Sequence, residues 1–258
     1  MRVVSVDALC RQLTSLPVGE PRVVTSGNHA VPWTLLRAAD DSLERYRLFV
    51  LNAPAGMPDR EGVTLETPFV GAGMRGRTGL AYLPCRLSLV PAMLRRRTPP
   101  DVVLINTTRP RDGAVSLGVE VNVLPAAIEA ARAGGGLVVA QLNDAMPWTY
   151  GDAQLAVDEI DLGVEADEPL GELQATEPSP LQQSIGEKVA GLVSDPATLQ
   201  IGIGAIPDAA LSALTGRRGL RIWTEMFSDG LLRLHRAGAL ADAPITASFA
   251  AGSAELYE

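Results

Sequence analysis

Residues that commonly carry metal or redox chemistry are scarce in this chain of 258 residues. It has only two cysteines, Cys10 and Cys85, and two histidines, His29 and His235. Neither pair has the spacing of a zinc site or of a redox motif. We therefore expect no metal site and no disulfide framework.

The chain also lacks long apolar runs and an excess of positive charge. No apolar run reaches about 18 residues, the shortest length expected of a transmembrane helix. The N-terminus has no basic start followed by an apolar block, so it does not resemble a secretory signal. The net charge of -8 argues against nonspecific binding of nucleic acid. We expect a cytoplasmic protein that binds neither membranes nor nucleic acid.

Aromatic residues make up only 4% of the chain, although 47% of its residues are hydrophobic. The core must therefore consist mainly of Ala, Val, Leu and Ile side chains. Strand-like runs at 102–106 and 137–140 flank a helix-like run at 125–133. Such alternation favours an α/β fold with mostly parallel sheets and flanking helices.

An acidic stretch with several prolines interrupts this alternation. Residues 166–180 show neither a helix period nor a strand period, which is typical of a linker or lid. The length of the chain allows one large or two modest domains. We therefore predict an N-terminal α/β domain over residues 1–165 and the start of a second α/β domain over residues 181–258.

The second of these domains contains the most informative pattern. A strand (198–201) runs into the turn Gly-Ile-Gly-Ala-Ile-Pro (202–207), a helix follows (208–214), and a second strand (220–224) ends at Glu225. In a right-handed βαβ unit the two strands are parallel and neighbouring, so the turn and the glutamate emerge at the same edge of the sheet. A ligand resting on the turn would present a reactive atom to the glutamate.

The residues of the glycine turn suit this role. Gly202 and Gly204 lack side chains and allow close approach of a ligand, and Pro207 suits a first helical turn. The free N–H groups at a helix start favour phosphate or a developing oxyanion. The alternative is a tight βα turn with a packing proline, and a solvated surface role for Glu225.

A second glycine pattern, at residues 71–76, matches the Gly-x-Gly-x-x-Gly of dinucleotide-binding folds. That fingerprint needs an immediate helix and an acidic residue about 20 positions further on. Here poor helix formers follow, and the acidic position falls near the three arginines at 95–97. We interpret the segment as a loop, and keep a nicotinamide-dependent enzyme only as an alternative.

The sequences at 202–209 and 224–230 together closely resemble paired motifs of the acetyl-CoA hydrolase/transferase family, which includes acetate, butyrate and 4-hydroxybutyrate CoA-transferases. The similarity extends over nearly the whole chain, through residues 26–32, 101–105, 116–118 and 143–147. The resemblance implies CoA-transferase-like lobes, with the second one incomplete.

The resemblance also implies a mechanism and a set of site residues. Glu225 would be the nucleophile of a ping-pong acyl-CoA:carboxylate CoA-transferase that forms a glutamyl-CoA thioester. Coenzyme A would be a substrate, small carboxylic acids its acceptors, and no cofactor would be tightly bound. The CoA-binding or oxyanion residues would be Gly202, Gly204, Ala205, Ile206 and Pro207. Weaker substrate-loop candidates are Gly27, His29, Met146 and Pro147.

Several departures from the family pattern keep other functions open. Trp223 and Gln154 stand where histidines are common, and Trp148 stands where an arginine is usual. The family's chains are longer and carry a further glycine-rich motif toward the C-terminus. We therefore keep three alternatives: an acyl-CoA hydrolase, a truncated non-catalytic remnant, and one subunit of a split enzyme. A homodimer or a partner chain would supply the missing C-terminal part.

Overall fold

The computed structural model describes residues 1–173 and 177–258. The chain forms two compact units, Met1–Gly171 and Glu172–Glu258. The linker predicted at 166–180 spans this boundary, and its residues 174–176 lie outside the described part of the chain.

The first unit alternates strands and helices as the sequence pattern predicts. Its strands are β1 (Arg2–Val3), β2 (Arg22–Thr25), β3 (Tyr46–Val50), β4 (Val63–Thr67), β5 (Leu80–Tyr82), β6 (Val102–Thr107), β7 (Ala114–Ser116), β8 (Leu137–Leu142), β9 (Gln154–Ala156) and β10 (Leu162–Glu165). Its helices are α1 (Val6–Thr14), α2 (Trp33–Ser42), α3 (Val90–Arg96) and α4 (Leu124–Gly134).

One parallel sheet organises this unit. Eight strands follow the order β1-β10-β8-β6-β2-β3-β4-β5, and every neighbouring pair is parallel. Strands β7 and β9 form a separate antiparallel pair. Because all eight strands point the same way, the loops after them meet at one edge of the sheet, where open α/β sheets bind ligands.

Both faces of this sheet are covered, which is why its central strands are continuously apolar. On one face, Leu9 and Leu13 of α1 and Leu35 of α2 pack on the sheet. On the other face, Leu94 of α3 and Ile128 of α4 do the same. The predicted α/β class with mostly parallel sheets and flanking helices is confirmed.

The second unit has shorter strands and more helix. Its elements are α5 (Pro180–Gly191), β11 (Thr198–Leu199), α6 (Ala205–Ala213), β12 (Arg221–Ile222), β13 (Met226–Phe227), α7 (Asp229–Arg236), β14 (Phe249–Ala250) and α8 (Ala254–Tyr257). Strand β12 pairs with β11, and β13 pairs with β14, both in parallel. Residues 220–227 therefore form the central segment of this unit.

Close packing of helices fixes the position of α6. A Cβ atom added at Gly186 of α5 would lie 2.7 Å from the backbone of Ala209, and one at Gly230 of α7 would lie 2.3 Å from a methyl group of Leu211. Glycine at these two positions lets α5 and α7 approach α6 closely. Leu211 and Leu214 then pack with Ile222 in the core of the unit.

Two features are absent from the described residues. No helix among them combines the length and the apolar character that crossing a membrane requires. In the same part of the chain, no group of three or more His, Cys, Asp or Glu side chains is arranged to hold a metal ion.

Candidate active site at the glycine turn

The glycine turn and Glu225 follow two neighbouring parallel strands. Leu199 of β11 is the register partner of Ile222 of β12, and the Trp223 N–H donates to the Leu199 carbonyl at 3.0 Å. The backbones of such strands lie about 4.8 Å apart. The predicted βαβ geometry is therefore present, although β11 is two residues shorter than the run from 198 to 201.

The Thr224 side chain continues this pairing where the strand ends. The Ile201 N–H donates to Thr224 Oγ1 at 3.0 Å, and the hydroxyl donates to the Ile201 carbonyl at 2.9 Å. Thr224 is only 6% exposed, so water does not compete for these bonds. The residue before Gly202 is thus tied to the residue before Glu225, and the turn and the glutamate leave the sheet side by side.

The central segment presents Glu225 on its open face. Ile222, Thr224 and Met226 are buried, whereas Trp223 and Glu225 are exposed. The Glu225 carbonyl accepts bonds from the N–H groups of Ser248 at 2.8 Å and Phe249 at 3.3 Å, which fixes its backbone. Among the described residues, its carboxyl group has no hydrogen-bond or ion-pair partner, so it is available to react.

The two glycines of the turn differ in what the structure requires of them. Gly204 has φ 113° and ψ 173°, a conformation almost restricted to glycine, and serves as the N-cap of α6. At Gly202 an added Cβ would meet nothing closer than Pro207 Cγ at 3.8 Å. Packing therefore does not demand glycine at 202. The first-turn N–H groups of Ala205 and Ile206 have no partner within the helix.

A cleft of about 420 Å³ opens at this turn. The residues that line it are Leu173, Glu177, Pro178, Ile203, Gly204, Ala205, Asp208, Ser212, Ser228, Asp229, Arg233 and Ala251. Burial raises the pKa of Asp208, and Asp229 adds to the rise, while Arg233, 3.9 Å away, opposes it. Gly204 and Ala205 of the predicted site thus line the cleft, whereas Glu225, Gly202, Ile206 and Pro207 are not among its lining residues.

The four weaker candidates lie in the first unit. Gly27 follows β2, and a Cβ atom there would lie 2.1 Å from the Leu51 carbonyl oxygen, so packing alone requires this glycine. Burial lowers the pKa of His29, which is half-buried in the same loop. Met146 is buried, and its Sδ accepts the Val119 N–H at 3.5 Å; Pro147 is half-buried beside it.

Trp148 takes part in a contact of its own. The guanidinium carbon of Arg111 lies 5.8 Å from the centre of the Trp148 ring, within the range of a cation–π interaction. An aromatic ring at this position therefore holds an arginine that comes from the loop between β6 and β7. Trp148, which stands where the family usually has an arginine, is thus in contact with the arginine at position 111.

The sequence interpretation missed a buried polar cluster in the first unit. Glu120 is 2% exposed, and its carboxyl group accepts hydrogen bonds from Asn28 and Asn122. The signal in the sequence was the presence of asparagine at 28, 52 and 122, in the segments that follow β2, β3 and β7. Asparagine adopts left-handed backbone conformations more readily than most residues, which such loops often need.

Comparisons with known proteins agree with this architecture. The family model named acetyl-CoA hydrolase/transferase N-terminal domain matches residues 65–171 of this sequence. A 4-hydroxybutyrate coenzyme A transferase of Clostridium kluyveri is 40% identical over 186 residues, which cover 69% of this chain and 42% of that protein. A succinyl-CoA:acetate/propanoyl-CoA:succinate CoA transferase of Fasciola hepatica is 35% identical over 259 residues, which cover 92% of this chain and 53% of that protein.

Solved structures show the same fold. A crystal structure of a 4-hydroxybutyrate CoA-transferase from Porphyromonas gingivalis has a TM-score of 0.79 and 30% identity, covering 99% of this chain and 64% of that one. RipA from Yersinia pestis has a TM-score of 0.89 and 25% identity, covering 100% of this chain and 65% of that one. The chain spans about half the length of the curated relatives it matches.

Proposed function

The chain belongs to the acetyl-CoA hydrolase/transferase family, and we propose that it acts as an acyl-CoA:carboxylate CoA-transferase with Glu225 as its nucleophile. The observation that carries this proposal is the Thr224 hydroxyl bridge to Ile201. It ties the residue before the glycine turn to the residue before Glu225, whose carboxyl group has no partner among the described residues, and this supports a site made of the two. A carboxylate and a cluster of free N–H groups are the two parts that acyl transfer needs.

The reaction proceeds by exchange of acyl bonds. A Glu225 carboxylate oxygen attacks the thioester carbonyl. The carbon–sulfur bond breaks, CoA departs as its thiolate, and Glu225 is left as an acyl-glutamyl anhydride. The thiolate attacks the glutamyl carbonyl and releases the first acid as a carboxylate. A second carboxylate attacks the glutamyl-CoA, and the same steps in reverse yield the new acyl-CoA. Each step replaces one activated acyl bond by another, so no nucleotide hydrolysis is needed.

The glycine turn supplies the electrostatic part of this mechanism. Each attack produces a tetrahedral oxyanion that needs hydrogen-bond donors at its oxygen. We assign this role to the N–H groups at the start of α6, at Ala205 and Ile206, where the partial positive charge of the helix adds to the effect. Gly202 and Gly204 leave room for the thioester, and Pro207 fixes the first turn.

Borohydride trapping tests the nucleophile. The intact protein is incubated with acyl-CoA and treated with borohydride, which reduces a glutamyl thioester to the primary alcohol. Cleavage after Arg221 and Arg233 gives a peptide that contains Glu225. We expect the alcohol at Glu225 only when acyl-CoA was added. A label on Asp229 of the same peptide, or none at all, would contradict the assignment.

Gly202→Ala tests the turn without disturbing the fold. Because a Cβ atom at this position meets only Pro207 Cγ at 3.8 Å, we expect the free energy of unfolding to change by less than about 0.5 kcal/mol. The added methyl group would displace a ligand on the turn, so labelling of Glu225 should fall by about tenfold or more. Normal labelling in a stable variant would show that the ligand does not touch the turn.

Hydrolysis is the second candidate activity, and the open face around Glu225 favours it. Trp223, two residues before the glutamate, is 68% exposed, so water has access to a glutamyl-CoA intermediate. Transfer would require this face to be covered, and we propose a second protein surface over it, either from another copy of the chain or from a partner chain. Release of many equivalents of acid and of free CoA per protein, with no added carboxylate, would identify a hydrolase, because a transferase stops after one equivalent of acid.

A further inference from the structure

A buried carboxyl group joins three loops of the first unit. Glu120 Oε2 accepts a hydrogen bond from Asn28 Nδ2 at 2.7 Å, and its Oε1 accepts one from Asn122 Nδ2 at 2.9 Å. Asn52 Nδ2 in turn donates to Asn28 Oδ1 at 2.5 Å. The backbone N–H of Asn28 also donates to the Asn52 carbonyl at 3.1 Å. These residues follow β2, β3 and β7, so one network ties together segments that are remote in sequence.

The three asparagines share an unusual backbone conformation. Asn28, Asn52 and Asn122 have φ values of 46°, 54° and 34°. Among the described residues, the other residue besides glycine with positive φ is Asp112, which lies outside this network. This conformation is disfavoured for residues other than glycine, although asparagine tolerates it better than most, and it persists where the surroundings fix it. The side-chain amides bound around Glu120 supply that restraint.

We propose that Glu120 is a positioning residue that holds the loops of Asn28, Asn52 and Asn122 in this arrangement while its carboxyl group is protonated, and releases them when it ionises. The inference goes beyond the CoA-transferase function and does not depend on it, because neither Glu225 nor the glycine turn takes part.

The surroundings of Glu120 explain why its proton matters. Burial raises its pKa to about 7, against the opposing effect of the hydrogen bonds from Asn122 and Asn28. The ordinary value is 4.5, which a solvated, opened state would have. Because the closed arrangement binds the proton more tightly, ionisation favours opening. The stabilisation is complete below about pH 4.5 and is lost as the pH rises through about 7, where the opening equilibrium has increased roughly 150-fold.

The charged neighbours do not offset this effect. His29, next to Asn28, has a pKa lowered by burial and is neutral near pH 7. The loop after β8 packs its Met146 against Gly118 and also carries Asp144. Asp144 is exposed and paired with Arg109 at 2.6 Å. The loop at 51–54 and the segment at 116–122 carry no charged residue besides Glu120. No cation in the described part of the chain therefore compensates the buried carboxylate.

The two protonation states need only a small adjustment of the network. Half a turn of the Asn122 side-chain amide presents its oxygen to the carboxyl proton, so the protonated acid keeps both partners. The ionised acid keeps two donors but remains buried without a counter-charge. Because Asn28 lies between Gly27 and His29, opening changes the conformation of the loop that contains these residues. A ligand that touches this loop should bind more weakly as the pH rises.

Hydrogen exchange of the intact protein, with Glu120→Gln as the neutral isostere, tests the proposal. Exchange of the Asn28 amide, corrected for the intrinsic rate at each pH, reports the opening equilibrium. Between pH 6 and pH 8 the opening should increase about tenfold in the unmodified protein. In Glu120→Gln it should stay constant. The Leu36 amide in α2, bonded to the Pro32 carbonyl at 2.9 Å, serves as the reference for global unfolding.

Two results would overturn the proposal. One is the same pH dependence at Asn28 in both proteins. The other is an increase at Leu36 as large as that at Asn28, which would mean global rather than local opening. If Glu120→Gln does not fold, Glu120→Met decides, because it also removes the titrating carboxyl group. The pH dependence at Asn28 should then disappear, and its persistence would refute the role of Glu120.

Discussion

Glu225→Gln should abolish the borohydride-trapped label and lower CoA transfer by on the order of 1,000-fold or more. The amide is nearly the same size as the carboxyl group but cannot attack a thioester. Since Glu225 is exposed and has no side-chain partner among the described residues, its replacement should leave the free energy of unfolding within about 0.5 kcal/mol. Turnover with acyl-CoA and acetate, measured beside thermal unfolding, checks both parts.

Glu225→Asp separates chemistry from position. It retains the carboxylate but withdraws it by one methylene, and a displacement of about 1 Å costs on the order of 100-fold in rate. Glu187→Gln on the exposed surface of α5 is the matched control, and it should leave turnover unchanged. Full activity in Glu225→Gln, after mass spectrometry has excluded deamidation, would remove Glu225 from the mechanism and with it the assignment of the turn.

The candidate site was accessible to sequence reasoning because it is local. The glycine turn and Glu225 lie in one βαβ unit, and the direction of such a unit follows from general rules of connection. The Thr224 bridge to Ile201 was not foreseen, since threonine after a strand has many other uses. That bridge nevertheless ties the residue before the turn to the residue before Glu225, beyond the end of a strand of only two residues.

The buried polar clusters could not be read from the sequence, because their partners are distant along the chain. Glu120 is 92 positions from Asn28, and Glu66 is 44 positions from Arg22. Glutamate is usually a surface residue, so a buried one has no local signature. Gly27 shows the opposite difficulty: its glycine suggests approach of a ligand, whereas the nearby Leu51 carbonyl oxygen is a sufficient reason for it.

Glu66→Ala should lower the free energy of unfolding by about 3 kcal/mol or more. Glu66 on β4 is 2% exposed and accepts bonds from Arg22 Nε at 2.8 Å and from Arg47 Nη1 at 3.2 Å. Arg22 and Arg47 are register partners on β2 and β3. Without the carboxylate, two guanidinium groups face each other at the spacing of adjacent strands, and the side chain of Arg22 is only 18% exposed.

An exposed ion pair gives the matched comparison for this effect. Arg95 and Glu129 lie 3.1 Å apart, with side chains 46% and 65% exposed, so Glu129→Ala should change the free energy of unfolding by less than about 1 kcal/mol. Chemical denaturation of both variants at low and high salt measures the difference. The loss in Glu66→Ala should persist at high salt, because its charges are shielded from solvent ions. A loss equal to that of Glu129→Ala would mean that Glu20, which also pairs with Arg47 at 3.1 Å, is enough to hold the three strands together.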